Sequence, residues 1–140
     1  MNLVIETERL ILRPFELSDA EAYFEMDKNP EVHKYLWNKP VTTIEEVYEY
    51  INMVRQQYLD NNIGRFSTIL KETGELIGWT GIKYVTGHVE NGNTNFYDYG
   101  YRLNEKFWKT FQKIILNLFH LKIRSGMKTE KLFSIRMVLE

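Results

Sequence analysis

Cysteine is absent from this chain, so a disulfide framework, thiolate metal ligands and a thiol nucleophile are all excluded. Histidine is scarce: His33, His88 and His120 have neither metal-ligand spacing nor a Ser or Asp arrangement that would make a nucleophilic triad. They are assigned no chemistry, and no metal is expected. No stretch approaches the ~18 apolar residues of a membrane span. The start, MNLVIETERL, lacks the basic region and apolar run of a secretory signal, so a soluble cytoplasmic protein with no membrane partner is expected. Proline occurs only at Pro14, Pro30 and Pro40, where each punctuates a periodic stretch. Glycine is missing between Gly100 and Gly126, a gap that becomes important below.

What is present suits one ordinary core. A chain of 140 residues with 44% hydrophobic content reads as a single domain over 1–140. Its net charge of -1 hides an asymmetry. Through Lys106 there are 11 Lys+Arg against 17 Asp+Glu, and after it 7 against 2, so the balance moves from -6 to +5. A basic end suits a nucleic-acid or phosphate partner, and it equally suits a solvated helix face. Aromatic and basic residues are not interleaved as single-strand readers require, so nucleic acid ranks last among the partners.

Along the chain, LVIETERLILRPF alternates and ends at Pro14 as a strand. Ser18 and Glu21 have capping-box spacing, and a helix follows through Phe24 until Asn29 and Pro30 interrupt it. Residues 31–37 read as a short helical turn. Thr43 and Glu46 repeat the box, ahead of Val47, Ile51, Val54 and Tyr58 at helical intervals. From Arg65 the period becomes two: RFSTILK, a turn at 72–75, then LIGWTGIKYV. The stretch TGHVENGNT reads as a loop to a third meander strand, NFYDYGYRL. Phe107, Phe111, Ile114, Leu118 and Leu121 then form an amphipathic stripe. The predicted class is mixed α/β (α+β): a strand, two to three helices, an antiparallel three-strand meander and one more helix.

ETERLILRPFELSDAEAYFEM, ETGELIGWTGI and YDYGYRLNEKFW, in that order, resemble the GNAT acyltransferases, in particular the branch of ribosomal-protein alanine N-acetyltransferases. The resemblance covers about residues 1–108 and leaves 109–140 as an atypical tail. It implies acetyl transfer from acetyl-CoA to a primary amine, on a protein N-terminus or a small molecule, by direct attack with general-base assistance. It also implies that the strand from Asn95 to Leu103 splays from its neighbour, so that main-chain groups of Tyr101, Arg102 and Leu103 receive the pantetheine arm as an added strand would. The bland alternative is that these residues only pair with another strand. Asp98, two residues before Gly100, is the implied base, against the alternative of a surface-facing Asp. Trp37, Trp79 and Tyr99 are implied as aromatic walls of the acceptor pocket or, alternatively, as core. Arg13 would hold a substrate carboxylate or bind the chain's own acids.

The family pattern continues into a glycine-rich loop whose bare amides meet the CoA pyrophosphate at a helix entrance. Here Trp108 is followed by Lys109, Thr110, Phe111, Gln112 and Lys113, with no glycine. The resemblance therefore predicts weak acetyl-CoA binding. A frameshifted or truncated gene is the leading explanation of the tail, because residues 124–140 are too few for the family's later elements and the charge jumps at Lys106. A sheet ending at its fourth strand would leave an edge, which with the stripe from Phe107 predicts a homo-oligomer, a dimer first. The functional alternatives are a non-catalytic associating remnant and a small RNA- or ribosome-binding protein.

Overall fold

The computed structural model describes residues 2–33, 39–90, 92–108, 110 and 134–139. The alternating segments become a six-stranded antiparallel sheet in sequence order: β1 (Ile5–Glu6), β2 (Leu10–Pro14), β3 (Arg65–Leu70), β4 (Leu76–Glu90), β5 (Asn93–Leu103) and β6 (Ser134–Leu139). Between β2 and β3 lie α1 (Ala20–Asp27), α2 (Pro30–His33) and α3 (Ile44–Asn61). The expected mixed α/β order, with its antiparallel meander, is the order found.

Side-chain alternation sorts the sheet into two faces. Leu10, Leu12, Phe66, Ile77, Tyr99 and Leu103 form one buried cluster. On the other face α1 and α3 bury Phe15, Tyr23, Met26, Ile51, Val54 and Trp79 in a second. The periodic positions of α3 all turn inward: Val47, Ile51, Val54 and Tyr58 are buried. The helix ends at Asn62, whose left-handed φ of 53° lets its amide close onto the Tyr58 carbonyl.

Local expectations fail where a distant partner makes a better offer. The first strand divides into β1 and β2, because Thr7 Oγ1 accepts from the amides of Arg9 and Leu10 and turns the chain. The Ser18 hydroxyl donates to Glu16 instead of capping α1 with Glu21. Glu46 reaches Thr42, not Thr43, accepting from its amide at 3.0 Å. The expected loop at 86–94 is mostly strand: β4 runs to Glu90, which pairs with Asn93 after a register shift beyond Thr86. The stripe from Phe107 falls almost wholly outside the described residues, with Phe107 itself in a 3-10 turn over Glu105–Phe107.

The expected open edge at the fourth long strand is not there. β6 pairs antiparallel with β5, from Tyr97 opposite Leu139 to Arg102 opposite Ser134. The tail thus supplies one strand of six residues, although it is too short for the family's later elements as a set. Gly78 marks a second feature, the close crossing of β4 and β5. There φ is +153°, and a Cβ would come within 2.0 Å of the Arg102 carbonyl oxygen, so only glycine allows this approach.

Candidate active site

The helix-covered face carries the charged side chains, and three ion pairs line it. Arg13 grips Asp19 through two bonds, at 2.9 and 2.7 Å, and Asp19 also accepts from Ser67. The hydrogen bond to Asp19 is the largest cause that holds the Arg13 pKa above its ordinary value. Arg65 donates to Asp98 at 2.9 Å and to the Gly81 carbonyl. Arg102 donates to Asp27 at 3.0 Å, joining β5 to the end of α1 across 75 positions of sequence. Charges this far from water persist only when paired and hydrogen-bonded.

Trp79 lies between two of these pairs. The Arg65 guanidinium is 4.6 Å from the centre of its ring and that of Arg102 5.5 Å, both within cation–π range. Register explains the meeting, since Trp79 is directly opposite Arg102. Trp79 Nε1 and Arg102 Nε are buried donors with no hydrogen-bond partner.

Asp98 is neither free nor surface-facing. It is 1% exposed, and Oδ2 takes Arg65 with Lys83 Nζ 3.8 Å away. Asp27 differs. Its carboxylate contacts Arg102 and, at 4.0 Å, His33, and both contacts fall on Oδ1, with Oδ2 outside these pairs. Burial raises the Asp27 pKa, partly offset by Arg102. Burial lowers that of His33, whose Nε2 donates to the Asp27 carbonyl at 2.8 Å. Tyr50 faces the same charges, and burial raises its phenol pKa against the opposing pull of Arg65 and Arg102.

The residues singled out by sequence are only partly brought together. Trp79, Asp98 and Arg102 share the helix face. Tyr99 is on the opposite one, 1% exposed and hydrogen-bonded to Thr80 at 3.2 Å, and Tyr101 is buried beside it. Arg13 binds Asp19, the second of its two alternatives. Trp37 lies outside the described residues. The main chain of Tyr101 and Arg102 pairs on one side with Thr80 and Trp79 and on the other with Ile135 and Ser134. The Leu103 carbonyl accepts from Trp108 Nε1 at 2.7 Å. Asp27 was missed, although it sits at the end of a helix just before the Asn29 and Pro30 break. A separate groove of about 870 Å³ beside α3 is lined by Arg13 and Arg55, but Asp19 and the Phe15 carbonyl already engage these cations. Among the described residues no three His, Asp or Glu side chains gather as a metal site, and no helix is long and apolar enough to cross a membrane.

Comparison with known proteins decides the family. The acetyltransferase (GNAT) domain matches residues 9–112. This chain belongs to the GNAT acetyltransferase family. An uncharacterized N-acetyltransferase of Bacillus licheniformis, p20, is 37% identical over 102 residues, covering 73% of this chain and 54% of the relative. The uncharacterized N-acetyltransferase YoaA of Bacillus subtilis is 29% identical over 106 residues, covering 76% and 57%. The chain thus spans little more than half the length of these curated relatives. Among solved structures, a GNAT-family acetyltransferase from Bacillus anthracis superposes with a TM-score of 0.57 at 26% identity, over 85% of this chain and 69% of its own. A GNAT-family protein from Bordetella pertussis reaches 0.62 at 14% identity, over 91% and 75%, a likeness of fold alone.

Proposed function

We propose that this GNAT-family chain derives from an enzyme that transfers acetyl from acetyl-CoA to a primary amine, with the amine received on the helix face between Asp27 and Trp79. One observation carries the placement: both ion-pair contacts of Asp27 fall on Oδ1, whereas Asp19 engages Arg13 through both carboxylate oxygens and Asp98 is enclosed by Arg65 and Lys83. A buried carboxylate with a raised pKa and one oxygen outside its ion pairs can hold an ammonium group and take a proton from it. Arg102 fixes Asp27 from the strand, and Trp79 and Tyr50 supply apolar walls with polar tips. The resemblance implied the base role for Asp98. Its enclosure by Arg65 and Lys83 favours instead an anchoring role that holds Arg65 against Trp79.

The donor side fits less well. The outer edge of β5, where the resemblance puts pantetheine, is already paired from Tyr97 to Arg102, and the Leu103 carbonyl is taken by Trp108. In this arrangement the arm of acetyl-CoA does not fit that edge. The glycine-free stretch after Trp108 adds to the reading that donor binding is weak. The family match ends at residue 112, close to the change of charge, which supports an altered reading frame beyond it. The branch of ribosomal-protein alanine N-acetyltransferases, with a protein N-terminus as acceptor, remains our preferred placing. A homodimer in the cytoplasm completes the proposal, with 1–108 the family part of a single domain.

Two variants test the assignment, assayed for acetyl transfer to alanine-initiated peptides and polyamines. Asp27→Asn is expected to lower turnover at least about tenfold near neutral pH, with recovery at high pH where the amine is already neutral. Asp98→Asn is expected to lower stability while each folded molecule keeps its turnover. Loss of turnover in a folded Asp98→Asn, with Asp27→Asn unaffected, would return the base role to Asp98.

A further inference from the structure

We propose that the outer edge of β5 from Tyr97 to Arg102 is a single strand-docking site with two mutually exclusive occupants, β6 of this chain and the pantetheine arm of acetyl-CoA. The proposal rests on the acetyltransferase reading, because only that reading brings acetyl-CoA to this edge. Each backbone residue has one N–H and one C=O. Those of β5 that point away from β4 are matched over six consecutive register positions, Tyr97 with Leu139 through Arg102 with Ser134. Pantetheine is an extended arm with two amides, and it binds a strand by making the bonds a neighbouring strand makes. The same donors and acceptors cannot serve both.

Trp108 extends the closure by one residue. Its indole N–H donates to the Leu103 carbonyl at 2.7 Å, just past the last β6 pair, so every residue assigned to the donor by resemblance is met by the chain itself. The inner edge offers no substitute, because β4 pairs with β5 from Gly78 opposite Leu103 to Thr86 opposite Asn95. Acetyl-CoA therefore enters only when β6 leaves. Its apparent affinity is the intrinsic one reduced by the fraction of molecules with an open edge.

Met137→Pro tests the competition. The Asn104 amide donates to the Ile77 carbonyl, a register that turns the main-chain groups of Tyr97, Tyr99 and Tyr101 toward β6. Proline at 137, opposite Tyr99, removes a ladder donor, which should speed hydrogen exchange at Tyr97, Tyr99 and Tyr101 and strengthen acetyl-CoA binding, read by calorimetry, at least about tenfold. Faster exchange with unchanged or weaker binding would overturn the competition, while the acetyltransferase reading survives if acetyl-CoA binds at all. An open edge that binds no acetyl-CoA would overturn both. The unmodified chain gives a second readout that no folding defect can confuse. Saturating acetyl-CoA should strip exchange protection from amides 134–139. Protection there that persists or grows while acetyl-CoA is bound would show that the two ligands share the sheet, and would sink the proposal.

Discussion

The two faces of the sheet are built by one alternating sequence and obey different rules. On the face away from α1 and α3, Leu10, Leu12, Ile77, Tyr99, Tyr101 and Leu103 pack as a core, and the polar atoms there are incidental: the Tyr101 hydroxyl is buried without a partner. On the helix face the charged groups are paired: Arg13 with Asp19 and Arg102 with Asp27 tie the helical layer to the sheet, and Arg65 with Asp98 ties β3 to β5 across β4. The lesson is that polarity costs little where it is an ornament on an apolar body and much where it forms the joint between elements.

Deleting polar groups face by face tests that contrast. The largest effect is expected at Asp98, since Asp98→Asn takes the carboxylate charge away from the buried Arg65. A loss of about 3–5 kcal/mol in denaturant unfolding is expected. A loss under ~1 kcal/mol would show that the pair does not hold β3 to β5. Tyr58 comes next. Its hydroxyl donates to the Arg65 carbonyl and accepts from the Phe15 amide at 3.0 Å, so Tyr58→Phe strands two backbone groups and should cost about 1–3 kcal/mol.

His33 sharpens the comparison through pH. Its folded pKa lies below its ordinary 6.5, chiefly through burial and secondarily through Arg102. The unfolded chain therefore binds the proton more readily, and stability should fall as pH drops through 6.5 toward the lower folded value. In His33→Asn that part of the slope should vanish. Urea midpoints at pH 7 and pH 5 would show it, and equal slopes in both proteins would contradict it. The smallest effect belongs to the other face. Tyr101→Phe removes the unpartnered hydroxyl from a buried ring and should be neutral or stabilising by up to ~1 kcal/mol. A clear loss would mean that this face, too, depends on a polar contact.

How legible each part was follows the same division. α3 could be read directly because Val47, Ile51, Val54 and Tyr58 repeat at helical spacing and all four are buried. The meander could be read because period two needs no partner to be seen. The ion pairs could not: Arg65 and Asp98 are separated by 33 positions, Arg102 and Asp27 by 75, and no local pattern links them. Asp19 was lost to the capping forecast because its carboxylate answers Arg13 and Ser67. The grouping of Trp79 with Tyr99 failed on parity. Tyr99 stands opposite Ile82, and Arg102 opposite Trp79. Counting outward from Asn91 and Gly92 would not have found this, because the register shift past Thr86 interrupts the count.

Gly78 has a consequence for error as well as for shape. A sheet of period two is vulnerable to slipping by one residue, which would exchange its two faces and carry Trp79 away from Arg102. Here the slipped states are refused by collision. Moving β4 one step either way would bring Ile77 or Trp79 to the crossing, where any Cβ would run into the Arg102 carbonyl oxygen at 2.0 Å. The hairpin therefore works like a key with one notch: a residue with no side chain fixes which of two surfaces, the apolar or the charged, the helices come to cover.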